Sequence, residues 1–419
     1  MTVKLCHRNV CYAPAAADRE AAEAGSNGVR QPVTDRTERI IGELESFIDG
    51  LLAVDHHCHG VVRGELGAAE FDDLLTESER PQPPGGNVFD APVGVLLRAI
   101  CAPLLGLEPH VSGADYLSRR GEMGASEVNR ILLAAAGIDT YVVDTGFRSA
   151  GLTAPAELAG ITAARSAEIV RLEAVAEALA EAGTGAAGFM DAFATELASR
   201  LQRAVGVKSI IAYRYGLDFD PVRPKAATVR RAADEWLRQG QEKGKFRMDN
   251  EVLLRAILWA AVDAGKPIQV HVGYGDTDIT MHRCDPTQMT GFLRATTNTG
   301  PAITLLHNYP FIREAGYLAQ VYPHVYFDTG AVLHFTGPSY LTAVRESLEL
   351  APFSKLLFST DAFGLAEFYT CGARLQRRGL ARVFGEWLAA GAISADDTRR
   401  YLEMIMGGNA CRVYGLESQ

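Results

Sequence analysis

No stretch of the 419-residue chain stays apolar long enough to span a bilayer as a helix. Basic residues are in deficit as well. Against 51 Asp and Glu there are 41 Lys and Arg, and the formal net charge of −10 argues against a nucleic-acid or anionic-membrane partner. The seven cysteines are odd in number, scattered and without a C-x-x-C pair. That fits a reducing cytoplasm better than a disulfide framework. From Met1 to Ala24 no continuous apolar run follows Lys4 and Arg8, so no signal peptide is expected. With 47% apolar and 22% charged residues, the composition is that of a globular protein with a large core.

Against these absences one stretch stands out, Ala53-Val54-Asp55-His56-His57-Cys58-His59-Gly60. Its apolar start reads as a short buried strand. Side chains on a strand alternate, so Asp55, His57 and His59 share one face. Two imidazoles two residues apart can hold one divalent ion from the same side, and zinc accepts imidazole nitrogen readily. The plain alternative is a His-rich loop with no metal.

Residues 1–35, rich in Ala, Arg, Asp and Glu, read as a mobile extension, and 36–419 as the folded domain. Thr37 to Gly50 has helical apolar spacing. Residues 61–125 read as a mostly helical insertion, either a lid or a dimer surface, with a helix over Val93 to Ala102 stopped by Pro103. Ser126 and Asn250 can cap helices ending at Ala136 and Ala264. Further strands are expected at 138–146, 169–173, 207–214, 267–271, 302–307, 324–329 and 355–361. Eight strands alternating with helices predict an α/β fold, a (β/α)8 TIM-type barrel with the insertion after its first strand.

Such barrels keep their chemistry at the C-terminal strand ends. There stand His57, His59, Asp144, Tyr213-Arg214, His271, His307 and Asp361. Four of the ten histidines at apolar strand ends point to a shared metal, since separate buried imidazoles would each need a partner.

Asp55-His56-His57-Cys58-His59, His271, Leu306-His307-Asn308, Ser359-Thr360-Asp361 and Gly407-Gly408-Asn409-Ala410 together resemble the amidohydrolase superfamily, and within it the amidohydrolase-related (amidohydrolase 2) family. His271-Val272-Gly273-Tyr274-Gly275-Asp276 and Arg313-Glu314-Ala315-Gly316-Tyr317-Leu318 look like the amidohydrolase domain of FluG-type proteins. The resemblance implies that His57, His59, His271 and Asp361 bind one divalent ion, Zn2+ first, with Mn2+ or Fe2+ as alternatives. His307 would stand behind the ligands or polarise the substrate. Binuclear relatives carry a carboxylated lysine at the end of the fourth strand. Lys208 reads instead as lying near that strand's start, a structural lysine at the barrel floor, so one ion is expected.

Metal-activated water then implies hydrolysis of a C–N amide bond in a small carboxylate-bearing substrate, by resemblance a γ-glutamyl amide. Asp361 would be the base and His307 the oxyanion partner. Arg214 and Arg283 are candidates for the substrate carboxylate, the alternative for each being an ion pair at the barrel rim. A homo-oligomer is expected. Two other readings stay open: a metal-dependent non-oxidative decarboxylase with the same ligands, and a non-catalytic scaffold stabilised by metal.

Overall fold

Short Val- and Ile-rich runs separated by helices can lie side by side only in parallel, because each helix returns the chain to the same edge. The computed structural model, which describes residues 33–298 and 300–417, has that arrangement. Seven strands pair in chain order in one parallel sheet: β1 (Ala53–Cys58), β2 (Ile138–Asp144), β3 (Arg165–Arg171), β4 (Gly206–Ser209), β5 (Ile268–Val272), β6 (Ile303–His307) and β7 (Val325–Phe327). The sheet curls into a TIM-type α/β fold.

The eighth strand expected at 355–361 does not form a ladder; one bridge, Phe327 to Leu356, is present. The segment still lies between β7 and β1. Leu357 N donates to Phe327 O (3.0 Å), His56 N to Phe358 O (3.1 Å) and Asp361 N to His57 O (3.0 Å). Side chains replace the missing rungs. Asp55 accepts from both the amide and the hydroxyl of Thr360, and Ser359 Oγ donates to His57 O (2.9 Å). Asp361 itself is left-handed, with φ of 50°, which breaks the extended run.

The fourth strand also ends early. Expected through Arg214, it stops at Ser209, and Ile211–Arg214 forms one helical turn. Glu173 accepts from Ser209 Oγ (2.7 Å) and Ile210 N (2.9 Å), while Ser209 Oγ accepts from Ile211 N (3.2 Å), so the turn is capped. Lys208 therefore stands one residue from the strand's end, not near its start.

Asn250 caps the helix Glu251–Ala264 as expected, accepting from Val252 N and Leu253 N. Ser126 does not cap; it lies inside the helix Ala125–Ala136, which Gly124 precedes and left-handed Gly137 ends. Between β1 and that helix run three more, Ala68–Leu74, Pro92–Leu104 and Gly113–Met123. Pro103 sits in the last turn of the second. Of the extension expected over 1–35, residues 1–32 lie outside the described residues, and the chain from Val33 is helical to Asp49. No helix among the described residues is long and apolar enough to cross a membrane.

Candidate metal centre

β1 delivers His57, the residue just past its end is His59, and the segment after β7 delivers Asp361. Their ligand atoms lie within 4.8 Å of one another. Asp361 Oδ1 is 3.1 Å from His57 Nε2 and 3.6 Å from His59 Nε2.

The surrounding hydrogen bonds fix both tautomers. Gln269 spends its amide hydrogens on His56 O (2.7 Å) and the Tyr414 hydroxyl (2.9 Å), so its oxygen must accept from His57 Nδ1 (2.8 Å). His59 Nδ1 lies 3.1 Å from Asp144 O, a carbonyl that can only accept. Both rings thus carry hydrogen on Nδ1 and turn a bare Nε2 toward a carboxylate oxygen. Three acceptors facing one another repel unless a cation sits between them, and this donor set fits a divalent ion.

Burial holds His57 to about 4 and His271 and His307 well below the usual imidazole value, so all three are neutral at pH 7. Asp361 goes the other way. Burial opposes its charge, but its carboxyl is held well below the ordinary range, with His307 the first of the groups that lower it.

Of the other expected ligands, His271 stands outside the cluster. Its ring packs 4.6 Å from His307 and 4.3 Å from Tyr213, and its buried Nε2 has no hydrogen-bond partner among the described residues. His307 Nδ1 is 3.1 Å from Asp361 Oδ2, close but not aligned as a hydrogen bond. Its backbone is held by Asp328, whose Oδ1 accepts from His307 N (2.8 Å) and whose Oδ2 meets His56 Nε2 (2.7 Å). His307, Asn308 and Asp361 all take left-handed φ values, 68°, 66° and 50°. Strain of this kind in non-glycine residues gathers at functional sites.

Lys208 is the main correction. It is no floor residue: its buried Nζ lies 2.8 Å from His57 Nε2 and 3.8 Å from Asp144. Burial lowers its pKa, against the pull of Asp144. A lysine remote from the ligands is therefore no longer the ground for expecting a single ion; that expectation rests on the one His57, His59 and Asp361 cluster found among the described residues. Beside it, Arg171 donates from Nε and Nη2 to Asp144 Oδ2 (3.1 and 2.5 Å). Burial pushes Asp144 up, but Arg171 and Lys208 hold it well below the carboxylate range. Asp144→Asn leaves Arg171 buried and unpaired, so it should cost about 3–5 kcal/mol, measurable by denaturant titration.

The two arginines expected to bind substrate have partners elsewhere. Arg214 pairs with Glu177 at 3.3 Å, and Arg283 pairs with Asp218 at 2.8 Å while lying over Tyr215. Near the ligands stand Phe147 and Phe363, whose rings flank His59. The exposed Arg148 guanidinium lies 5.3 Å over Phe147. Gln269 and Arg148 escaped sequence reasoning, and Lys208 was weighed there but placed at the barrel floor; only the β4 boundary could have corrected that placement.

Comparison with known proteins bears on the family and the fold. The family described as Amidohydrolase matches residues 126–416. Protein fluG of Emericella nidulans is 32% identical over 226 residues, 51% of this chain and 26% of that protein. The match thus spans about a quarter of that relative's length. A crystal structure from Lactobacillus casei, provisionally named a metal-dependent hydrolase, is 26% identical with a TM-score of 0.79, covering 89% of this chain and 97% of that one. A uronate isomerase from Thermotoga maritima, at 13% identity and a TM-score of 0.60 over 90% of this chain and 97% of that one, shares the fold alone.

Proposed function

The chain belongs to the amidohydrolase family, and from that premise we propose that it hydrolyses the C–N bond of a small carboxylate-bearing amide, a γ-glutamyl amide first. The observation that carries this is the convergence of two fixed imidazole Nε2 atoms and Asp361 Oδ1 on one point. A divalent ion held by His57, His59 and Asp361 would bring the pKa of water to roughly 7 and polarise a carbonyl. We assign one ion to this triad, zinc first because of its imidazole-rich donors, with the unpartnered His271 Nε2 as a further ligand.

The protein's own part is proton handling and positioning. Asp361 is ionised and faces His307 Nδ1 through its second oxygen, 3.1 Å away. A proton taken up at Asp361 Oδ2 can pass to His307 and on to the leaving amine. Asp328 fixes His307 for that task. Lys208, its Nζ 2.8 Å from His57 Nε2, places a positive charge beside the site that offsets its carboxylates. With Arg214 and Arg283 committed to Glu177 and Asp218, Arg148 is the arginine assigned to the substrate carboxylate. The segment 61–125 is assigned as a lid, on the support of Glu79 accepting from Thr277 Oγ1 (2.6 Å) in the loop after β5. In the same segment burial, with Asp361 and Asp276 nearby, pushes Glu77 up to about 7.

His307→Ala should keep metal near normal and lose kcat with little change in substrate binding, as read by steady-state kinetics with metal analysis. Gln269→Leu should weaken metal affinity about 10–100-fold in a chelator competition, since it frees the His57 tautomer. The proposal itself is tested with the metal-loaded protein and a panel of γ-glutamyl amides. Released amine without carbon dioxide supports it. Carbon dioxide in place of amine would move the chain to the decarboxylases.

A further inference from the structure

Beyond β7 the chain turns at Gly330, and four residues later comes His334, 1% exposed. Neither of its ring nitrogens has a partner among the described residues. The ring stacks on Phe368 at 4.5 Å and 15°, with Phe335 at 4.8 Å. Burial holds it to about 4, so at pH 7 it offers one N–H and one lone pair, both enclosed. Buried polar atoms without partners are rare, because each loses its water and gains nothing.

The position is built by the same turn that supports the metal triad. A Cβ on Gly330 would meet Ser359 Oγ at 2.5 Å and Asp361 Cβ at 3.1 Å, so the turn lies directly against the segment bearing Asp361. Ala331 N donates to Thr360 O (2.9 Å), and Ala331 takes a left-handed φ of 63°. That strained residue starts the short helix Val332–Thr336, which carries His334. The Asp361 carboxylate pulls His334 upward against the effect of burial.

We propose that His334 is a specificity-determining residue of this active site, and that its ring takes an uncharged hydrogen-bonding group of the substrate, an amide or a hydroxyl. The partner is uncharged because Phe335 and Phe368 supply no counter-charge and an anion would meet Asp361. This rests on the hydrolytic function above and deepens it.

The test compares His334→Phe and His334→Gln with wild type, each as the full metal-loaded chain. His334→Phe removes two unpartnered nitrogens, so its Tm should rise by about 2–4 °C. Its kcat/KM on whichever γ-glutamyl amide the wild type hydrolyses should fall about 10- to 100-fold. His334→Gln, which keeps a donor and an acceptor, should recover most of that loss, with metal content unchanged in both. A His334→Phe protein that melts lower, one that keeps wild-type kcat/KM, or a His334→Gln protein that recovers nothing overturns the proposal. If the wild type hydrolyses no amide of the panel, the hydrolytic function fails on its own account. The melting shift then decides for His334: a rise keeps it as a group held for a ligand, and a fall makes it a packing residue.

Discussion

Asp361→Asn is expected to lower kcat by a factor on the order of 10²–10⁴ while the protein keeps part of its metal. The amide has the shape of the carboxylate and retains one oxygen for the ion. It has no basic oxygen left to take a proton beside His307 Nδ1, where Asp361 Oδ2 now stands at 3.1 Å. The backbone should tolerate the change, because Asn is among the residues that accept the left-handed φ found at this position. Paired measurements of metal content and kcat separate the two functions of the residue. An Asp361→Asn enzyme running at the wild-type rate would mean that some other group removes the proton.

His59→Ala is expected to strip the ion and turnover together. His59 contributes one ligand atom, and its other nitrogen is tied to a single backbone carbonyl. The fold should survive, so circular dichroism and Tm should stay close to wild type while elemental analysis finds little metal. His57→Ala should lose metal as well but also cost stability, since it strands the Gln269 oxygen and takes from buried Lys208 the nearer of its two neighbours, leaving Asp144 at 3.8 Å. A His59→Ala protein that retains both metal and activity would remove His59 from the ligand set.

The triad was legible because its residues end apolar runs, and strand ends are where a parallel barrel exposes side chains. That rule placed His57, His59 and Asp361 at the mouth, and the resemblance to the amidohydrolase-related family singled out Asp361 as a ligand. His271 and His307 were found by the same rule and do lie beside the triad, though His271 stands outside the cluster. What failed was local. Ile210 to Tyr213 looks like strand, yet the strand ends at Ser209, where Glu173, 36 residues earlier, holds the start of a helical turn, and Lys208 stands beside His57 instead of at the floor. Lys355 to Asp361 also looks like strand, but Ser359 and Thr360 spend their side chains on β1 instead of extending a ladder. Arg214 and Arg283 were chosen for their charge. Their partners Glu177 and Asp218 lie 37 and 65 residues away in the chain, where no spacing rule could find them. Gln269, a polar residue inside a strand, shows its role only when the fold sets its oxygen against His57.

The central claim is that one divalent ion at His57, His59 and Asp361 carries the hydrolysis. The most direct measurement strips the purified protein with a chelator, returns zinc in measured steps, and follows amine release from a γ-glutamyl amide. Activity should be absent at the start, rise in proportion to bound metal, and level off at about one ion per chain. Full activity in the metal-free protein would contradict the account. So would a rise that levels off only at about two ions, which would place Lys208 among the residues that hold the second.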